Sequence, residues 1–149
     1  FLRHLAGQVL LGRPPIDTLT WKFRRWLRLE LPVIDLKKQA LAPMVAAARI
    51  LALDAGVRQT GTIPRLEAVA EQGLLPPQLA QAALRAYDHL MLLRIRQHFR
   101  QQSRGEEPSN PIALSELNPL RRRFLVEALE TVMELQDHVF QQFGGVELS

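Results

Sequence analysis

Apolar side chains recur at helical spacing along most of the chain, in blocks separated by Gly and Pro. Phe1, Leu2, Leu5, Val9 and Leu10 fit one amphipathic helix over residues 1–12, closed by Gly12 and Pro14-Pro15. Residues 21–37 break the rule. Trp21, Phe23, Trp26, Leu27, Leu29 and Leu31 follow neither the helical nor the strand period, and Pro32 interrupts them. Val33-Ile34-Asp35-Leu36 then offers a short strand-like run, so this stretch reads as extended, irregular or a hairpin.

Beyond residue 40 the punctuation is clearer. Leu41 to Asp54 predicts a helix with Pro43 in its first turn and Gly56 past its end. Thr62 is placed to cap a helix over 63–72 that stops at Gly73. Pro76-Pro77 opens a long helix reaching about Ser103, ended by Gly105, and Asn118-Pro119 opens a last one reaching about Phe143. The 105–118 connection is too long for a tight turn and has only Ile112, Leu114 and Leu117 to anchor it. Leu79, Ala83, Ala86, Leu90 and Leu93 form one seam, and Leu125, Ala128, Val132, Leu135 and Val139 another. Such stripes bury against one another, which predicts an all-α fold, an antiparallel up-and-down bundle of four to five main helices.

Composition narrows the function classes. With 149 residues and 47% apolar content the chain suits one domain and is too apolar for low-complexity disorder. The absence of cysteine excludes a disulfide scaffold and any Cys-ligated metal. No apolar run approaches the ~20 residues of a membrane span, and the context reads as cytoplasmic. Phe1 in place of Met suggests a piece of a longer protein.

Charge is uneven. Residues 1–38 hold eight Lys and Arg against three Asp and Glu, and 105–149 hold three against eight. Arg94, Arg96, Arg100 and Arg104 make a short basic run without acids. Such a run attracts phosphate, or it serves only as a solvated face. Nucleic acid as a partner is disfavoured by the few aromatics near these arginines and by the acidic last helix.

Two interruptions of the apolar pattern stand out. Arg49 sits in Met44-Val45-Ala46-Ala47-Ala48-Arg49-Ile50-Leu51-Ala52-Leu53, a segment apolar on nearly every face. If buried, it needs either a salt bridge, to Asp35 or to a carboxylate of the last helix, or a phosphate or carboxylate ligand in a cleft. The stripe Leu84, Tyr87, Met91, Arg94, His98 turns from apolar to cationic, where a buried seam opens into a polar site or the helix end merely meets solvent. No Gly-rich phosphate loop, His metal pair, nucleophile elbow or Asp-x-Asp pair occurs, so catalysis by this chain unaided is not expected.

Taken in order, these residues resemble a known family. Ile34-Asp35-Leu36-Lys37-Lys38, Leu41-Ala42-Pro43, Ala48-Arg49-Ile50-Leu51-Ala52-Leu53 and Thr62-Ile63-Pro64-Arg65-Leu66 resemble the opening of the nucleotidyltransferase substrate-binding domain family, with Gly61 where that family usually has Asn. Leu93-Arg94-Ile95-Arg96-Gln97-His98 is similar to its Leu-Arg-Leu-Arg-His-Gln, and Gly105 to Ile112 to its Gly-x-x-Pro-x-Asn-x-Ile. The resemblance implies a non-catalytic helical domain over 33–143, with 1–32 as the tail of an upstream polymerase-β-type nucleotidyltransferase domain and 144–149 as a C-terminal tail. It implies a bacterial signal-transduction protein that often also carries cystathionine-β-synthase-type (CBS) and cyclic-nucleotide-binding modules. Mg²⁺ is expected only with the upstream domain. The partners implied are that domain and a nucleotide or protein acceptor, with a homodimer also open. Arg49, Arg94, Arg96 and His98 lead the candidates for holding triphosphate or acceptor, with Asp35, Lys37 and Arg65 around them and Asn110 positioning its loop. The alternative is a helical interaction or dimerisation module with no ligand of its own, its arginines tied up in internal salt bridges.

Overall fold

A computed structural model describes residues 32–143. The expected helix over 1–12, and most of the irregular stretch 21–37, lie outside the described residues. Four helices build the fold: α1 (Ala42–Asp54), α2 (Thr62–Glu71), α3 (Pro77–Ser103) and α4 (Pro119–Phe143). The architecture is all-α, with one small sheet of two three-residue strands, β1 (Val33–Asp35) and β2 (Pro111–Ala113). The seams meet as expected. Ala83, Leu90, Leu125, Val132, Leu135 and Val139 are all buried in one core, to which α1 adds Met44, Ala47, Ala48, Ile50 and Leu51.

Long-range contacts set the helix directions. His138 near the end of α4 lies 3.1 Å from the Leu74 carbonyl just before α3, so α3 and α4 run antiparallel. Gln142 donates to Asp54 at 3.4 Å, placing the ends of α4 and α1 together. The direction therefore reverses from α1 to α3 and again from α3 to α4, with the short α2 in the first reversal.

Helix ends follow the punctuation with one exception. After α3, Gly105 takes φ +71°, and Glu106 N–H donates back to the Gln101 carbonyl at 2.9 Å, a left-handed stop that a side chain at 105 would strain. Asn118 caps α4 by accepting from Arg121 N–H at 2.9 Å. Thr62 does not cap α2: it is the first helical residue, and the extended Gly61 occupies the cap without any side-chain bond. Gly61 leaves room there, since a Cβ would meet Pro64 Cδ at 3.0 Å.

The irregular parts hold the surprise. Val33–Asp35 does form a strand, but its partner is the 105–118 connection, with Ile34 opposite Ile112 in antiparallel register. Both isoleucines are buried, which anchors the long connection to the core. The chain then makes a single widened, π-helical turn over Leu36–Leu41 before α1. Asp35 accepts from Lys38 N–H at 2.8 Å, while its own N–H donates to Gln39 Oε1 at 2.9 Å, a reciprocal cap on the turn. Leu36, Ala40 and Leu41 point inward, which leaves Lys37 and Lys38 facing out.

Candidate functional site

The π turn, α1 and α3 enclose a hollow of about 450 Å³, within the range of small-molecule sites. Lys37 and Leu41 come from the turn, Ala42, Val45, Ala46 and Arg49 from α1, and Tyr87, Met91 and Arg94 from α3. Three cations thus ring an apolar floor, and no carboxylate is in the lining. Among the described residues none of the three is paired with an acid; the ion pair present joins Arg123 and Glu127 on the exposed side of α4 at 3.1 Å. Gathering like charges against an apolar, low-dielectric wall concentrates positive potential inside the hollow. The arrangement suits an anion attached to an apolar or aromatic body.

For Arg49 the structure shows the cleft and not the salt bridge. It is exposed, not buried, and no internal salt bridge to Asp35 or α4 is present among the described residues. Ala42, Val45, Arg49 and Leu53 share one exposed stripe of α1. The segment looked apolar on every face because part of that stripe is cavity wall. Arg94 is half-buried, and its Nε–H donates to Asn110 Oδ1 at 2.9 Å. The Asn110 carbonyl in turn accepts from Leu36 N–H at 3.0 Å.

The other candidates lie elsewhere. Asp35 caps the π turn and does not line the hollow. Arg65 on α2 donates to the Gln59 carbonyl at 2.9 Å, holding its own loop. Arg96 is exposed and, two residues from Arg94, points to another side of α3. His98 is half-buried one turn beyond Arg94, outside the lining, and its Nε2 is shielded without a partner. Tyr87 and Met91, read from the sequence as core-like, are floor residues of the site.

A second hollow of about 490 Å³ lies between α3 and α4, but its charges are mixed: Arg85 and His89 face Glu127, and Glu127 is already engaged by Arg123. His89 packs edge-on against Phe124, with ring centroids 5.7 Å apart at 70°. Burial first, and the Arg96 charge second, hold its pKa below the usual imidazole value. The folded chain therefore resists a proton that the unfolded chain accepts, so acidification through the unfolded pKa costs stability. His89→Gln is expected to flatten part of the fall in melting temperature between about pH 7.5 and 5.5. An unchanged slope in thermal melts across that range would refute this role for His89.

No described helix is long and apolar enough to cross a membrane. No curated protein and no solved structure gave a significant match. The family described as "putative nucleotidyltransferase substrate binding domain" matches residues 1–143, nearly the whole chain, and the chain belongs to that family.

Proposed function

We propose that this chain is the substrate-holding domain of a nucleotidyltransferase, and that the hollow between the π turn, α1 and α3 receives the phosphate-bearing end of a nucleotide or of the acceptor. The observation that carries this reading is the convergence of Lys37, Arg49 and Arg94, from three separate elements, on one cavity without a carboxylate in its lining. Arginine and lysine with no carboxylate partner among the described residues keep their charge available to a ligand, and each charge-assisted contact contributes roughly 1.5–3 kcal/mol. Tyr87 and Met91 offer a flat and a pliable surface for the uncharged part. Catalysis belongs to a domain upstream in the same protein, acting in the cytoplasm and bringing its own Mg²⁺. This chain orients the substrate and tunes the output of that domain as part of bacterial signal transduction.

Calorimetric titration of the four ribonucleoside triphosphates and pyrophosphate tests the reading. Binding is expected that weakens with added salt and falls about tenfold or more for Lys37→Gln, Arg49→Gln or Arg94→Gln. A second reading, an interaction module, draws on Leu92, Ile95 and Phe99, which expose apolar surface on α3 at steps of three and four residues. Failure of every anion to bind, either to this chain or to a protein that also carries the upstream domain, would replace the first reading by the second.

A further inference from the structure

Resting on that reading of the cavity, we infer that Asn110 is a positioning residue for the anion site, setting the direction of the Arg94 guanidinium and the place of the turn that carries Lys37. An arginine side chain is long and rotatable, and its five N–H groups form a planar fork. Donation of Nε–H to Asn110 Oδ1 at 2.9 Å fixes the plane of that fork and leaves all four Nη hydrogens for an oxyanion. The same residue's carbonyl accepts from Leu36 N–H at 3.0 Å, one residue before Lys37. One asparagine thus ties two of the three cations to each other before any ligand arrives, and ordering done in advance is not charged against binding.

The side-chain bond is not needed to hold the loop. Gln97, almost fully buried, donates to the carbonyls of Ser109 at 3.0 Å and Pro111 at 2.7 Å. Gln101 accepts from Ser109 N–H at 2.9 Å and donates to its Oγ at 2.8 Å. Four bonds from α3 therefore clamp the residues on either side of Asn110. Its amide is left to serve Arg94, and as a neutral acceptor it orients the guanidinium without cancelling its charge. A carboxylate there would hold Arg94 harder and remove the attraction for a second anion.

Calorimetry with pyrophosphate on the full chain separates positioning from scaffolding. Asn110→Ala is expected to weaken binding about five- to tenfold, and Asn110→Asp to weaken it at least as much while the melting temperature holds or rises. The losses from Asn110→Ala and Arg94→Lys are expected to overlap in the double variant instead of multiplying, since both act through one guanidinium. Pyrophosphate affinity within twofold of the parent in both Asn110 variants, or losses that multiply, would overturn the inference. If Asn110→Ala does not fold, Asn110→Asp and Arg94→Lys carry the test. A parent chain that does not bind pyrophosphate would count against the cavity reading itself. In that event the Arg94 Nε–H resonance decides on Asn110: protected in the parent and exchanging in the Asn110 variant supports it, and unchanged protection refutes it.

Discussion

A chain carrying Arg49→Glu and Arg94→Glu together is expected to lose affinity for nucleoside triphosphates and pyrophosphate by at least about a hundredfold, since two charge-assisted contacts of roughly 1.5–3 kcal/mol each become repulsions. The fold should survive. Arg49 is exposed, and the neutral amide of Asn110 can turn its N–H₂ toward a glutamate as readily as its oxygen toward a guanidinium. Calorimetry gives the affinity and a thermal melt the control. Retained binding by a well-folded double variant would show that the hollow is not the anion site.

The second large effect concerns the seam that sets the wall of the hollow. Leu90 is fully buried in the α3 seam, between the turn of α3 that carries Tyr87 and the turn that carries Arg94. Leu90→Ala removes three carbons from a fully buried position, and a loss of about 2–5 kcal/mol in unfolding free energy is expected. Denaturant titration measures it as a shifted midpoint at unchanged slope. A loss below about 1 kcal/mol would mean that the core around α3 repacks freely. Such plasticity would undercut any account in which α3 holds Arg94 rigidly.

What the amino-acid pattern disclosed is what local physics decides. Glycine stops, the Asn118 cap and the two seams depend on neighbours within a turn or two, and the α1, α3 and α4 boundaries fall within a residue of expectation. The β1–β2 ladder was not legible, because it joins two three-residue runs far apart in sequence and local periodicity carries no record of a distant partner. Which of the two readings of Arg49 applies was not legible for a related reason: a cavity wall and a core are equally apolar, and only the third dimension separates them. Arg96 is different. On a helix two residues lie about 200° apart, so Arg94 and Arg96 could not line one hollow, and that much was available from spacing alone. Asn110 had no local signature beyond its place in a Gly-Pro-Asn loop; its two bonds to Arg94 and Leu36 join three separate segments.

The short ladder has a mechanical corollary. Val33–Asp35 leads directly into the turn that carries Lys37, so tension on the backbone at Pro32 meets the paired rungs before it reaches the lysine. A shift or rotation of whatever precedes this strand would load those rungs first. While they hold, Lys37 keeps its place in the wall of the hollow beside Arg49 and Arg94; were they to part, that fixed spacing of the three cations would no longer be held from this side.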